Sequence, residues 1–396
     1  MPRLHLAIDN CFASKRWTKP DEWAACVRSL GLRCVEASAD TEHDPLYNGA
    51  AYCERWINEV RQAEQRHGIE VVNLYSGHGT YSTLGLGHTD RSVAERMRDE
   101  WVKKMVDAAA LLDAGLGFYA HAHPLSVLEN PASYAAAQEN LTALLADCAA
   151  YAASRMSRPI AVEQMYSPHQ VPWTIAGARE FLSAIAKSAG HPMYLTIDVG
   201  HQCGQSRFQK PGREGFLKAV EEMKCGRWNR IPWLGPKIVY DLAAMVARES
   251  ANPATAWDEA ARLLPAYDYL FAAPEDGDPY VWLAEFAPYT PIIHLQQTDG
   301  RSSAHRPFTA EQNQTGIIVP GRVIEAIAQG YRRLTRPPNL PPVEDIYLTL
   351  EMFFPTAAHP YAALEELRES VAYWRKAIPE DGIALDEARA LSSGER

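Results

Sequence analysis

The chain has 396 residues, 47% of them hydrophobic and 22% charged, a balance that suits a folded globular protein and excludes a disordered or fibrous one. A formal net charge of -10 repels polyanions, which argues against nucleic acid as a partner while leaving room for a local cationic pocket. No apolar stretch approaches the length of a membrane span, MPRLHLAIDN contains no secretory apolar region, and the seven cysteines form no CxxC pair; a cytoplasmic protein without disulfides or membrane contact is expected.

Short apolar runs alternate with amphipathic ones along the chain. Strands are expected at 4–8, 32–36, 70–75 and 117–121, several of them nearly continuously apolar, as in a parallel sheet covered by helices. Between the third and fourth, Val93, Met97, Trp101, Met105 and Leu112 recur at helical spacing behind an Asp90 cap and ahead of a Gly115 stop. Helices at 131–153 and 174–187 flank a fifth strand at 159–163, and a sixth follows at 193–198. The seventh and eighth fall at 291–295 and 346–351, and Leu364, Leu367, Val371 and Trp374 mark a last helix. Eight strand–helix repeats predict a (β/α)8 TIM barrel over residues 1–380. The interval between strands six and seven is too long for one repeat. Residues 203–290, with helical patterns at 215–223, 237–247 and 257–264, are expected to form a large helical insertion, read as a lid over the barrel mouth or a dimerisation element. Residues 381–396 are expected to be a loose C-terminal tail.

Four strands end on a metal-binding side chain: Glu163 in IAVEQMY, Asp198 in LTIDVGH, His294 in IIHLQQTDG and Glu351 in LTLEMFF. The C-terminal ends of barrel strands converge on one face, and an apolar strand that runs into a carboxylate needs a cation to offset its burial. Three carboxylates and one imidazole suit one divalent ion, Mn²⁺ first, with Mg²⁺, Co²⁺ or Zn²⁺ as alternatives.

With this quartet and the Asp198-Val199-Gly200-His201 element, the sequence resembles the xylose isomerase-like TIM-barrel superfamily of sugar isomerases and epimerases, which also includes inosose dehydratases and endonuclease IV. The resemblance spans about residue 4 to 375, apart from 203–290. It implies that Glu163, Asp198, His294 and Glu351 hold the metal, that His201 touches a substrate oxygen, and that barrels of this kind associate as a homo-oligomer. It further implies a cis-enediolate mechanism on a ketose, with Glu163 and Glu351 as the two bases on opposite faces. Return of the proton to the same carbon gives epimerisation, and return to its neighbour gives isomerisation. Where the ketose epimerases carry a second glutamate after strand five, EQMYSPHQ offers His169; Arg301 or Arg306 stands where the family has a substrate-binding arginine.

His78, His121 and His123 also lie at expected strand ends and are read as substrate contacts. They raise a rival, the trinuclear zinc site of endonuclease IV, completed by His305 and Asp299; the acidic balance and the lack of a basic, aromatic-bearing stripe oppose it. Within the same barrel, enediolate chemistry can instead expel a group, so a lyase on a 3-oxo sugar or sugar acid is the alternative. Whether the carbohydrate carries a phosphate is left open, with Lys210, Arg213, Arg301 and Arg306 as the cations in reach.

Overall fold

The protein is described by a computed structural model that covers residues 1–38, 42–77, 79–81, 83–120, 122–334 and 337–392. Eight parallel strands follow one another around a closed sheet: β1 (Arg3–Asp9), β2 (Cys34–Ser38), β3 (Glu70–Ser76), β4 (Gly115–Phe118), β5 (Ile160–Glu163), β6 (Tyr194–Asp198), β7 (Ile292–Leu295) and β8 (Asp345–Leu350). β1 pairs in parallel with both β2 and β8, which closes the barrel.

Strand alternation decides what faces the barrel interior. Leu4, Leu6 and Ile8 of β1 and Ile346, Leu348 and Leu350 of β8 join the large core between sheet and helices. Ala7, Cys34, Val72 and Tyr347 form a separate small cluster inside the barrel. Two positions further along the same parity stand Asp9 on β1 and Glu36 on β2, and four positions beyond Tyr347 stands Glu351, so these acids crown the interior layer at the C-terminal mouth. β4 contributes glycine to this interior. A Cβ on Gly115 would meet Asn73 Oδ1 at 2.6 Å, and one on Gly117 would crowd Asn73, Thr196 and Tyr75 at 3.2–3.3 Å. The two glycines make the room in which Asn73 and Tyr75 stand.

The helices are locally well specified. Asn130 caps Pro131–Ala153 by accepting from the Ser133 amide at 2.9 Å, and Thr174 caps Ile175–Ala189, which stops at Gly190 with φ 70°. Asp90 caps the next-to-fourth-strand helix as expected, but the segment passes through a π turn at Met97–Val102 and ends at Asp113, itself left-handed. Gly115 is therefore not the stop. It is the first residue of β4, needed for the space beside Asn73.

Between β6 and β7 the helices Arg213–Lys224, Lys237–Ala247 and Pro253–Leu263 pack on one another through Phe216, Val220, Val239, Leu242, Val246 and Ala260, in an apolar cluster of their own that reaches Leu128. The last residues correct the expectation of a loose tail. Ile383–Ala384 (β9) pairs antiparallel with the start of β1, and Leu385 and Ala388 of the helix Leu385–Ser392 are fully buried. Their apolar spacing was masked by polar neighbours. Among the described residues, no helix is long and apolar enough to cross a membrane.

After β2 the chain buries Glu42, whose Oε2 accepts from the indole nitrogens of Trp23 (3.1 Å) and Trp56 (2.7 Å). Burial pushes this carboxyl up to about 7, against the pull of the two indoles. A raised carboxyl favours the native state while it stays protonated, so its contribution is complete below pH 4.5 and is lost as pH rises through 7. Glu42→Gln keeps an acceptor for both indoles without the charge. Denaturant unfolding should show the variant matching wild type at pH 4.5 and exceeding it by roughly 3 kcal/mol at pH 8; equal stabilities at pH 8 would contradict this account.

Candidate active site and metal centre

The four strand-end residues converge. Donor atoms of Glu163, Asp198, His294 and Glu351 all lie within 4.8 Å of one another, on side chains that are at most 4% exposed. Sheet register explains part of this, since Asp198 and His294 are paired residues on β6 and β7. The His294 ring stands at the centre: its Nδ1 is 3.1 Å from Glu163 Oε1 and 3.3 Å from Glu351 Oε2, and its Nε2 is 2.7 Å from Glu36 Oε1. Asp198 accepts from the Gly200 amide at 2.6 Å and from Gln296 Nε2 at 2.8 Å. A Cβ on Gly200 would sit 2.4 Å from Gln296 Cδ, so the glycine of the Asp198-x-x-His201 element is what lets Gln296 reach the aspartate.

The electrostatics fit a cation. Asp9, Glu36, Glu163, Asp198 and Glu351 are all buried, and their ion partners among the described residues are histidines alone. Burial, then the charges of Glu36 and Glu351, drives the Asp9 carboxyl well above its usual range; burial also raises Asp198. Glu163 resists burial and stays low through its hydrogen bond with His294 and the potential of His201. Burial opposes a charged His294, yet Glu351 and Glu36 hold its pKa well above the ordinary value. Buried carboxylates gathered around one imidazole are a donor set of hard oxygens and one nitrogen, which suits a divalent ion.

Above this centre opens a cavity of about 430 Å³, lined by Glu163, Glu351, His201, Tyr75, Tyr119 and Tyr166 among others. Of the quartet only the two glutamates reach it; Asp198 and His294 lie beneath. The Tyr75 hydroxyl donates to Glu163 Oε2. His201 Nδ1 is 2.7 Å from the Gln164 carbonyl, which can only accept, so in the neutral ring Nε2 is left as an acceptor, 3.7 Å from Asp198 Oδ2.

The structure sorts the other expected contacts. His201 and Arg301 line the cavity. His123 and His169 do not: their backbones bond to each other, with the His123 amide 2.6 Å from the His169 carbonyl, and both rings line an adjoining cavity that shares Tyr81, Tyr119 and Tyr166 with the first. His78 and His121 lie outside the described residues. Lys210 pairs with Asp268 at 2.7 Å and Arg306 with Asp299 at 3.7 Å, and neither these nor Arg213 lines the cavity. Of the expected insertion 203–290, Cys203, Gly204 and Arg207 line the cavity, whereas no residue of the helices Arg213–Lys224, Lys237–Ala247 and Pro253–Leu263 does. Sequence reading missed Asp9 and Glu36 as members of the centre, although Asp9 ends β1 as Glu163 and Asp198 end β5 and β6; Glu36 stands in the middle of β2, inside the barrel. It also missed Arg207, Gln296 and the placement of His305, whose Nδ1 lies 3.3 Å from Glu351; Arg207 sits in a single 3-10 turn and the other two in a loop, all too short for periodicity.

Fold and site together define a (β/α)8 barrel with a buried carboxylate–imidazole centre at its C-terminal mouth. The model of the xylose isomerase-like TIM barrel family matches residues 24–223, just over half of the chain, and the protein belongs to that family. Over 108 residues the chain is 32% identical to the D-erythrulose 1-phosphate 3-epimerase of Brucella abortus (strain 2308), a match that covers 27% of this chain and 31% of that enzyme. Among solved structures it is similar to a candidate xylose isomerase of Rhodospirillum rubrum ATCC 11170 (TM-score 0.66, 19% identity, 94% of this chain and 98% of that one). It is also similar to an L-ribulose 3-epimerase (TM-score 0.53, 14% identity, 100% and 97%). At these identities the structural likenesses establish the barrel fold.

Proposed function

We propose that the protein is a divalent-metal-dependent isomerase or epimerase of a sugar, a sugar phosphate or a sugar acid, and that it works by enolising a ketose. One observation carries this reading: two buried glutamates from strands five and eight flank one imidazole, and they alone of the quartet border the cavity. Glu163, Asp198, His294 and Glu351 would hold the ion, with Mn²⁺ the first choice for this donor set. A divalent ion there supplies Lewis-acid stabilisation of negative charge on adjacent substrate oxygens.

The chain's own groups account for the proton movements. Glu163, kept ionised, takes the proton from the carbon next to the carbonyl, and the C–H electron pair passes into a cis-enediolate. Glu351, protonated beforehand, gives a proton to the other face and becomes the carboxylate. His201 accepts a hydrogen bond from a substrate hydroxyl through Nε2. Tyr75 steadies Glu163, and the tyrosines of the cavity wall keep water from the enediolate. Partial support comes from the 32% identical relative, a D-erythrulose 1-phosphate 3-epimerase.

The test is incubation of the full chain with a panel of ketoses and 3-oxo sugars in D₂O, with and without a chelator. Solvent deuterium is expected at the carbon next to the carbonyl and is expected to vanish when the metal is removed; its absence across the panel would sink the proposal. A second reading, a lyase on a 3-oxo sugar, draws on the adjoining cavity of about 600 Å³ that holds His123 and His169, which gives a leaving group somewhere to go. Release of a second product in the same incubation would select it.

A further inference from the structure

We infer that the substrate carries an anionic group, a phosphate monoester or a carboxylate, and that Arg207 and Arg301 hold it at the rim of the cavity. This rests on the reading of the site as one that enolises a sugar. The floor of the cavity is acidic, yet Arg207, Arg301, Ser302 and Ser303 line its wall. Among the described residues, neither guanidinium has a carboxylate within ion-pair distance. The neighbouring cations Lys210 and Arg306 do, and they point elsewhere.

The two arginines form one unit. Arg207 Nη2 donates to the Arg301 carbonyl at 3.1 Å, which ties the loop after β6 to the loop after β7. The second loop is itself fixed. The Arg301 amide donates to Asp299 Oδ1 at 3.0 Å, Gly300 takes φ 80°, and the Ser302 carbonyl accepts from Thr298 Oγ1 at 2.7 Å. Ser303 Oγ accepts from Gln296 Nε2 at 2.8 Å, the same amide that holds Asp198. The rim is therefore coupled by hydrogen bonds to the centre below it. Two planar donor forks and two hydroxyls on one wall match a phosphate or carboxylate better than a neutral hydroxyl. In a chain with net charge -10, they also provide the local positive field that an anionic substrate needs in order to approach.

The experiment measures binding and turnover separately. Calorimetric titration of the metal-loaded full chain with inorganic phosphate, and in a second arm with acetate, is run on wild type, Arg207→Ala, Arg207→Lys, Arg301→Ala and Lys210→Ala. Phosphate or acetate, whichever group is native, is expected to bind wild type. It should bind the two alanine variants about tenfold or more weakly, as loss of a charge-assisted hydrogen bond dictates, and Arg207→Lys should fall between. Lys210→Ala, which removes the same charge outside the cavity, should bind as wild type does. A ketose phosphate or sugar acid should then show a KM at least about tenfold below that of its neutral parent in wild type, and Arg207→Ala should erase that advantage. Equal binding in wild type and both alanine variants, as for an anion seated on the acidic floor through a metal, overturns the inference, and so does the absence of anion binding. Solvent deuterium entering neutral ketoses while no anion binds overturns it and leaves the enolising reading standing. Arginine-dependent anion binding with no exchange in any ketose overturns the enolising reading instead.

Discussion

Glu351→Gln is expected to lower turnover of the true ketose substrate by about 10²–10⁴-fold, the span over which a positioned acid or base contributes, while metal content stays near one ion per chain. Glutamine preserves the shape of the side chain and an oxygen toward His294 and His305, each 3.3 Å from Glu351 Oε2, but it neither takes nor gives the proton. The two-base arrangement makes a sharper demand than loss of rate. Glu163 remains in place, held by Tyr75 and His294, so the proton on its face of the substrate should still exchange with D₂O although the epimer or isomer fails to form. Rapid-quench measurement of deuterium in recovered substrate, beside elemental analysis of the protein, reads both quantities. Turnover near the wild-type rate with metal retained would remove Glu351 from the chemistry.

The barrel and the core of its site were legible in the sequence for one reason. Strand alternation and strand ends are local properties, and a barrel turns eight local ends into one place. Glu163, Asp198, His294 and Glu351 each closed an apolar run, and the fold did the rest. Asp9 carries the same mark in HLAID, whereas Glu36 in CVEAS is followed by Ala37 and Ser38 within the strand, so its place in the centre shows only once β2 is set beside β1 and β3. What periodicity cannot show is where loops return. Gln297 and Arg306 form an isolated antiparallel bridge, which folds the loop after β7 back on itself and sets His305 beside Glu351. The glycines of β4 look like weak points in a strand until Asn73 and Tyr75 are seen to occupy the space that they leave. The packing of residues 383–392 was hidden similarly, since Ile383, Leu385 and Ala388 are too few to outweigh their polar neighbours.

Asp9 and Glu36 give the second prediction. Glu36 is fully buried, receives a hydrogen bond from Asn73 Nδ2 at 3.2 Å and faces His294 Nε2 at 2.7 Å. With a proton on Nε2 pointing at Glu36, Nδ1 keeps the lone pair that His294 would need to hold an ion together with Glu163 and Glu351; with the proton on Nδ1, the ring could not serve as a ligand. Glu36 would then select the tautomer and hold the ring angle, the role that an outer carboxylate plays for a metal-bound histidine. Glu36→Ala should weaken metal affinity by about 10–100-fold, measured by competition with a chelating dye. Glu36→Gln should lose less, because its carbonyl oxygen still accepts from Nε2. The adjacent Asp9 is raised well above its usual range by burial and by Glu36 itself, so Asp9→Asn should cost little affinity. Equal metal affinity in wild type and Glu36→Ala would show that His294 is fixed without Glu36, which would be left as a buried acid whose partners among the described residues are Asn73 and a histidine that does not need it.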